Sequence, residues 1–184
     1  MLEREIKLRY DCVESARAAV LATGATPLLG RRLQEDSLLD TEDEMLRRQL
    51  CALRIRAENG KSRITFKGPV QPSHIMKVRE ELETIVGDGE VLLQIFMQLG
   101  FHVWFRYEKY REEFAHEETI VAIDETPVGV FVEIEGSEHG ITAMARALGR
   151  RPGDYVLDSY RGLFLKHRDE FGLSGTDMVF GPPG

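Results

Sequence analysis

Three features are scarce in this sequence of 184 residues: cysteine, long apolar runs and an excess of positive charge. Cys12 and Cys51 are the only cysteines and lack the spacing of a metal site, which favours a protein of the reducing cytoplasm. Apolar runs such as Val128–Val132 are far shorter than the roughly 20 residues that cross a membrane. The residues after Met1 lack the basic and then apolar pattern of a signal peptide. We therefore expect a soluble, cytoplasmic protein with no membrane partner.

Acidic residues outnumber basic ones, 31 against 24, and leave a net charge of −7. Nucleic-acid binding depends on a basic surface that neutralises phosphates, so the composition argues against a nucleic-acid partner bound through bulk charge. It leaves open what a local pocket binds. No linker rich in proline, glycine or serine divides the chain, and the composition is that of a globular protein. We expect a single domain over residues 1–184 with an irregular tail from about 173 to 184.

Start and stop signals in the sequence predict four helices, the first of them capped by Asp11. These helices are expected over Cys12–Ala22, Glu90–Leu99, Glu138–Leu148 and Ser159–Phe171. The segments between them have the pattern of strands, among them Leu33–Leu39. Asn59 and Gly60 form the signature of a two-residue hairpin turn.

The predicted strands separate charged from apolar side chains. Because side chains alternate between the two faces of a strand, Glu3, Glu5 and Lys7 share one face of the first strand, opposite Ile6 and Leu8. A half-buried strand with a solvated charged face would explain any single case. The same separation recurs, however, along the chain, where the charged faces carry Arg54, Arg56, Arg63, Lys67, Arg79, Glu81, Glu83, Lys109, Arg111, Glu133 and Glu135.

The combined pattern favours an inverted sheet, with its apolar face outside and its charged face inside. The predicted helices offer apolar stripes, and the apolar strand faces are the surface that such stripes cover. About eight strands closed on themselves leave an interior wide enough for side chains or one small ligand. Buried charges without partners cost several kcal/mol each, so a charged interior requires internal pairing or a bound polyanion with metal.

The residue types on these faces suit a metal–polyphosphate complex. Arginine binds phosphate oxygens through paired hydrogen bonds, and lysine binds them as a point charge. Pairs of glutamate oxygens suit the hard cations Mg²⁺ and Mn²⁺, which also bridge to substrate phosphates. We therefore expect Mg²⁺ or Mn²⁺ as the cofactor and a small-molecule triphosphate or nucleotide as the partner.

An ordered set of motifs begins with Glu3-x-Glu5-x-Lys7 and covers roughly residues 1–165. It continues with Gln34-x-Asp36, Asp40-Thr41, Leu53-Arg54-Ile55-Arg56, Phe66-Lys67-Gly68-Pro69, Arg79-x-Glu81-x-Glu83, Leu99-Gly100-Phe101, Lys109-x-Arg111, Asp124, Gly129-x-Phe131-x-Glu133-x-Glu135 and Ser159-Tyr160. The set resembles the CYTH superfamily, the triphosphate tunnel metalloenzymes, which include class IV adenylyl cyclases, thiamine triphosphatases and inorganic triphosphatases. The resemblance implies an α+β fold, an eight-stranded antiparallel β-barrel tunnel with helices packed on the outside.

The resemblance also implies roles for the charged residues. The expected triphosphate ligands are Lys7, Arg54, Arg56, Lys67, Arg79, Lys109 and Arg111. The expected metal ligands are Glu3, Glu5, Glu81, Glu83, Glu133 and Glu135, and the expected catalytic set is Glu3, Glu5, Lys7, Glu133 and Glu135. Asp36 and Asp124 are expected to orient basic residues. One position departs from the pattern: Leu38 stands where the family often has tyrosine.

Three functions fit these motifs. The leading one is divalent-metal-dependent hydrolysis of inorganic tripolyphosphate, thiamine triphosphate or a nucleoside triphosphate. The alternative is a class IV adenylyl cyclase that converts ATP to cyclic AMP and pyrophosphate. A polyphosphate- or nucleotide-binding module without activity is disfavoured, because six carboxylates would weaken pure anion binding. No feature is dedicated to adenine or ribose, and Trp104 and Tyr107, which have the chemistry to stack on a base, are expected to pack in the core or at the rim. The oligomeric state stays open.

Overall fold

A computed structural model describes residues 2–73 and 75–181 of the protein. The strands are β1 (Leu2–Tyr10), β2 (Thr26–Thr41), β3 (Ala52–Glu58), β4 (Lys61–Lys67), β5 (Lys77–Val86), β6 (Phe101–His116), β7 (Thr119–Thr126) and β8 (Gly129–Gly136). The α-helices are α1 (Val13–Ala22), α2 (Met45–Arg48), α3 (Gly89–Gln98), α4 (Glu138–Ala147) and α5 (Tyr160–His167). The strands close into an antiparallel barrel in the order β1-β5-β4-β3-β2-β6-β7-β8, which confirms the predicted fold.

The apolar faces of the strands point outward and lie beneath helices. Ile6 and Leu8 of β1 are buried in one core cluster with Ile141 and Met144 of α4. On the opposite side of the barrel, the outward residues of β3 pack against apolar residues of α3. This packing orients the sheet, because covering the apolar face with helices leaves the charged face to line the interior.

Three helices begin at residues whose side chains cap the first turn. Asp88, Ser137 and Ser159 each accept a hydrogen bond from a backbone N–H of the first turn. The first helix differs from the prediction, because Cys12 rather than Asp11 is its cap. The Cys12 Sγ accepts a hydrogen bond from the Ser15 N–H at 3.4 Å, since the helix begins one residue later than expected.

The last helix is shorter than predicted and lies at one end of the barrel rather than along its wall. α5 ends at His167, and the chain then continues in turns to Gly172, which has a φ of +65°. Leu163 and Phe164 of α5 pack with Phe131 of β8, which shares its face with the lumen glutamates of that strand. Aromatic side chains therefore fill part of this end of the barrel.

Two further features of the fold are the β3–β4 hairpin turn and the C-terminal tail. Asn59 and Gly60 both have positive φ and join β3 to β4 in the predicted hairpin. Residues 173–181 form neither helix nor strand, as expected for the tail, although Met178 is buried; residues 182–184 of the tail lie outside the described residues. Among the described residues, no helix is long and apolar enough to cross a membrane.

Candidate functional site

Every residue that the sequence predicted to bind substrate or metal lines one cavity of about 870 Å³ inside the barrel. These residues are Glu3, Glu5, Lys7, Arg54, Arg56, Lys67, Arg79, Glu81, Glu83, Lys109, Arg111, Glu133 and Glu135. Arg32, Arg63 and Lys77 line the same cavity and were not among the predicted ligands. The alternation of side chains along the strands therefore predicts the composition of the lumen.

Asp124 organises the cations of β6. Its carboxylate accepts hydrogen bonds from Arg111 Nε at 2.6 Å and from Lys109 Nζ at 2.8 Å, and a further one from the Tyr160 hydroxyl. The carboxylate is fully buried, and its three partners are also buried. Asp124 thus holds basic residues in place and leaves no open face of its own to a substrate, in the orienting role that the resemblance implied.

The two cations of this cluster differ in the direction of their pKa shifts, since the pKa of Lys109 is lowered and that of Arg111 is raised. Burial and the neighbouring Arg111 lower the pKa of Lys109 to about 7, although Asp124 lies 2.8 Å away. The carboxylate of Asp124 compensates Lys109 only in part, because Arg111 and Tyr160 share it. In the free protein, therefore, the surroundings of this lysine favour its neutral form more than water does.

Glu133 and Lys7 connect β8 to β1. Glu133 accepts from Lys7 Nζ at 3.0 Å on one oxygen and from Arg111 at 2.7 Å on the other. Burial opposes ionisation of Glu133, yet Lys7 and Arg111 outweigh it and hold its pKa well below the usual range. Both Glu133 oxygens are therefore engaged by cations.

Asp36 of β2 contacts two cations, as Asp124 of β7 does. It accepts from Arg56 Nε at 2.8 Å and Nη2 at 3.0 Å, a two-point contact. Arg54 lies 3.5 Å from the same carboxylate and donates to the Thr65 hydroxyl at 3.0 Å. Two aspartates, each paired with two cations, thus present basic groups from separate walls of one cavity.

Carboxylates gather between β1, β5 and β4. Lys67 Nζ lies 2.8 Å from Glu3 and 2.7 Å from Glu81, and Lys77 Nζ lies 2.8 Å from Glu5. Burial raises the pKa of Glu5, but Lys7 and Lys77 outweigh it and the net direction is downward. Lysine ammonium groups therefore occupy positions between carboxylates.

Two carboxylates in this region have too little positive charge around them. Burial raises the pKa of Glu3 to about 8, and burial together with Glu133 raises the pKa of Glu135 to about 7. Glu135 makes no hydrogen bond or ion pair within residues 2–73 and 75–181, and its backbone pairs directly with Glu5. Raised acid pKa values of this kind mark groups that an added cation would stabilise.

The donor set fits a hard divalent cation in chemistry, since Mg²⁺ and Mn²⁺ prefer carboxylate oxygens. Glu3, Glu5 and Glu135 lie on adjacent strands and face the same cavity. No three acidic, histidine or cysteine side chains of the described residues converge closely enough to form a ready metal cluster. Lys67, Lys77 and Lys7 contact the carboxylates of Glu3 and Glu5 and therefore compete with a metal for these oxygens.

Two predicted ligands are held in other contacts. Arg79 donates to the backbone carbonyls of Gly68 at 2.7 Å and Leu50 at 3.0 Å, which ties β5 to neighbouring loops. Glu83 accepts from Arg63 at 3.0 Å and from the Thr65 hydroxyl at 2.8 Å. Both residues line the cavity, but these contacts occupy part of their donor and acceptor atoms.

Sequence reasoning missed several residues of the cavity. Arg32 lies between Glu58 at 3.0 Å and Glu113 at 2.9 Å, because β2 extends beyond the predicted Leu33–Leu39 strand. Arg47 is held at the rim by the buried Asp40, whose carboxylate also accepts from backbone N–H groups of α2. The Asp40-Thr41 motif was the signal for this contact.

Fold and site together define a closed β-barrel. Its lumen carries paired cations and carboxylates that suit a phosphate chain. Comparison with known proteins agrees: the sequence profile of the CYTH domain matches residues 1–153, and the chain belongs to this family. Family members are generally metal-dependent enzymes that act on small-molecule triphosphates or nucleotides.

Individual relatives support the assignment. A Methanocaldococcus jannaschii protein, provisionally named an adenylate cyclase, is 34% identical over 149 residues, which cover 80% of this chain and 84% of the relative. A structure from Vibrio parahaemolyticus, also provisionally named an adenylate cyclase, has a TM-score of 0.79 at 18% identity over 90% of this chain and 98% of its own. A Hippeastrum structure has a TM-score of 0.65 at 20% identity over 91% of this chain and 96% of its own, and is described as an adenylyl cyclase candidate with a dominant triphosphatase activity.

Proposed function

We propose that this protein hydrolyses a triphosphate with the help of Mg²⁺ or Mn²⁺. The observation that supports this most directly is the single cavity in which cations from β3 and from β6 face the carboxylates of β1 and β8. A triphosphate needs several cations around its length, and phosphoryl transfer requires mainly positioning and charge stabilisation from a protein. The lumen has the groups for both tasks.

The residues divide the work by position. Arg54 and Arg56 bind phosphate oxygens from one wall, and Lys109 and Arg111 bind them from another. Glu3, Glu5 and Glu135 would hold the metal, which would supply neutralisation of phosphate charge for in-line attack by water. Lys67 and Lys77, released from their carboxylates, add positive charge to the phosphate chain. Glu133 keeps Lys7 and Arg111 in place through its two contacts.

Hydrolysis is favoured over cyclisation by what the residues are placed to do. Arg54, Arg56, Lys109 and Arg111, here called the phosphate clamp, are placed to bind a phosphate chain. Cyclisation requires in addition a ribose hydroxyl within about 3–3.5 Å of the α-phosphorus. The Hippeastrum protein is an adenylyl cyclase candidate described as chiefly a triphosphatase, so a cyclase name does not imply cyclisation. The second candidate is an adenylyl cyclase, which the name of the Methanocaldococcus jannaschii relative favours.

Product analysis separates the two candidates. Purified protein is given Mg²⁺ or Mn²⁺ with tripolyphosphate, thiamine triphosphate or ATP, and products are followed by phosphorus NMR. We expect release of orthophosphate and no turnover in excess chelator. Cyclic AMP and pyrophosphate from ATP in equal amounts, with tripolyphosphate left intact, would establish the cyclase instead.

Removing one cation of the clamp is expected to weaken binding strongly. Arg54→Ala should reduce tripolyphosphate affinity by about 1.5–3 kcal/mol, the range for hydrogen bonds to charged groups. Calorimetry on the variant and the wild type measures the change. Arg106→Ala is the matched control, since Arg106 is exposed on β6 outside the cavity. Equal affinity for Arg54→Ala and Arg106→Ala would contradict the proposed binding mode.

Binding is also expected to take up a proton at Lys109. With a pKa of about 7, Lys109 is mostly neutral at pH 8, and a phosphate chain beside it stabilises the charged form. Calorimetry of tripolyphosphate binding at pH 8 in chelator, in two buffers of different ionisation enthalpy, should therefore show uptake of roughly one proton. Lys109→Met should lose this uptake; retention of the same uptake in the variant would assign it to another group.

The lowered pKa of Lys109 also makes the free energy of unfolding of the ligand-free protein depend on pH. Lys109 binds fewer protons in the folded than in the unfolded protein between pH 7 and its ordinary pKa of 10.5. Its contribution to the free energy of unfolding therefore grows as the pH rises through that window and is smallest below pH 7. The difference between wild type and Lys109→Met in urea unfolding at pH 6 and pH 9 measures this contribution.

A further inference from the structure

Trp104, the only tryptophan of the chain, lies at a β-bulge at the rim of the cavity. Leu38 pairs with Phe105 and Leu39 pairs with Val103, so Trp104 is an extra residue with no opposite residue in β2. If side chains alternated strictly along β6, the Trp104 side chain would point outward, because the neighbouring Phe105 lies on the lumen face. Bulges re-aim side chains beside functional sites, and the half-buried indole accordingly lines the cavity.

Two guanidinium groups lie over this indole. The Cζ of Arg47 is 4.3 Å from the ring centroid, and the Cζ of Arg161 is 4.9 Å from it. Arg47 is fixed, because its Nε donates to Asp40 at 3.1 Å and its Nη2 lies 3.0 Å from Glu44. Arg161 makes no salt bridge or hydrogen bond through its side chain to any described residue, so no polar contact fixes its position over the ring.

The indole is also at a suitable distance from the phosphate clamp. Leu38 pairs with Arg54 on one side and with Phe105 on the other, so β6 beside Trp104 lies two strands from Arg54. Two strand spacings are about 10 Å, a separation that the sugar and first phosphate of a nucleotide span. Leu38, with no ring of its own, leaves Trp104 as the aromatic surface at this position.

We propose that Trp104, Arg47 and Arg161 form a base platform, on which the aromatic base of a nucleoside triphosphate stacks while its phosphates lie in the clamp. This inference rests on the proposed function, because it presupposes that the lumen holds a phosphate chain. Arg161, which has no other partner among residues 2–73 and 75–181, moves aside to admit the base, and Arg47 stays in place. Base–aromatic stacking tolerates any base, since every base has a π-face.

The charge around the base platform selects among organic groups. Asp158, the acidic residue nearest in sequence to Arg161 that also lines the cavity, is paired with Lys166 at 2.7 Å. Arg161 therefore contributes an uncompensated positive charge beside the indole. A cationic ring such as thiazolium is repelled there, whereas an uncharged purine or pyrimidine is not. The base platform thus favours nucleoside triphosphates over thiamine triphosphate.

Tryptophan fluorescence and calorimetry test the base platform. The ligands are a β,γ-methylene analogue of ATP, which resists hydrolysis, tripolyphosphate and thiamine triphosphate, each with Mg²⁺. Because Trp104 is the only tryptophan, we expect the ATP analogue to change the emission of the wild type and tripolyphosphate to leave it nearly unchanged. Trp104→Ala and the bulkier Trp104→Leu should bind the analogue roughly 5- to 150-fold more weakly, the range for base–aromatic stacking.

Tripolyphosphate affinity separates failure of this inference from failure of the proposed function. Unchanged tripolyphosphate affinity in both tryptophan variants shows that they are folded and that the clamp is intact. Phe171→Ala, an exposed aromatic outside the cavity, is the control that should bind all ligands normally. Equal analogue affinity in wild type and both variants would overturn the base platform while leaving the clamp standing. Equal losses for the analogue and thiamine triphosphate would overturn the charge selection, and absence of tripolyphosphate binding to wild type would overturn the proposed function itself.

Discussion

Glu5→Gln should reduce metal-dependent turnover by about 10³-fold, because a catalytic metal supplies several kcal/mol of charge stabilisation. Glu5 is buried, ionised and adjacent to Glu135 across the β1–β8 pair, so it is central to the carboxylates that face the cavity. The substitution keeps shape and removes charge. Steady-state kinetics with tripolyphosphate at saturating Mn²⁺ measure the loss.

A second measurement distinguishes loss of metal from general damage to the site. In chelator, tripolyphosphate should bind Glu5→Gln at least as tightly as wild type, since the variant has one negative charge fewer in the lumen and frees Lys77. Glu80→Gln is the matched control, because Glu80 is exposed on β5 next to a lumen glutamate and lies outside the cavity. Wild-type turnover by Glu5→Gln, or by the native protein in excess chelator, would refute the metal assignment.

Asp124→Asn should lower the free energy of unfolding by about 3–5 kcal/mol, the usual effect of removing one partner of a buried ion pair. The aspartate is fully buried, and its loss leaves Lys109 and Arg111 near each other without their shared anion. Such a loss is a large part of the stability of an ordinary domain. Urea unfolding at neutral pH, compared with wild type, provides the value.

Ligand binding should offset part of this loss. Tripolyphosphate brings negative charge to the two cations, so it should raise the melting temperature of Asp124→Asn more than that of wild type. Asp11→Asn is the control, since Asp11 is exposed and outside the cavity. A stability change as small as that of the control would show that Asp124 does not hold these cations together.

The sequence predicts the lumen well because a strand has a period of two. Charged residues two positions apart share a face, so Arg54 and Arg56, or Lys109 and Arg111, are recognisable as pairs from their spacing alone. Helix caps follow the same logic of local spacing, and Asp88 and Ser137 cap α3 and α4. The family motifs add the expectation that eight antiparallel strands close into a barrel, which the structure confirms.

What the sequence does not predict depends on breaks in that period or on distant partners. The bulge at Trp104 shifts one side chain to the other face, and no residue type announces it. Arg47 depends on Asp40, seven residues earlier, through a four-residue helix too short to show a period. The position of α5 at the barrel end depends on its packing against aromatic residues of strands that are distant in the sequence, including Phe105 and Phe131.

The pairing of lumen charges is likewise invisible in the sequence. The motifs identify Glu3 and Lys67 as ligands of different groups, but the structure joins them at 2.8 Å. Cations and carboxylates therefore neutralise one another in the free protein, and binding requires exchange of partners. The sequence also does not show which carboxylate lacks nearby positive charge, as Glu135 does, because only the folded structure determines the surroundings of each group.

A crystal structure with Mn²⁺ and tripolyphosphate tests the central claim most directly, because anomalous scattering locates manganese independently of the surrounding density. We predict a manganese peak within coordination distance of at least one oxygen of Glu3, Glu5 or Glu135. We also predict phosphate oxygens within hydrogen-bonding distance of Arg54 and Arg111, with Lys67 displaced from Glu3. Manganese and phosphate bound only on the outside of the barrel, with the lumen ion pairs intact, would contradict the account.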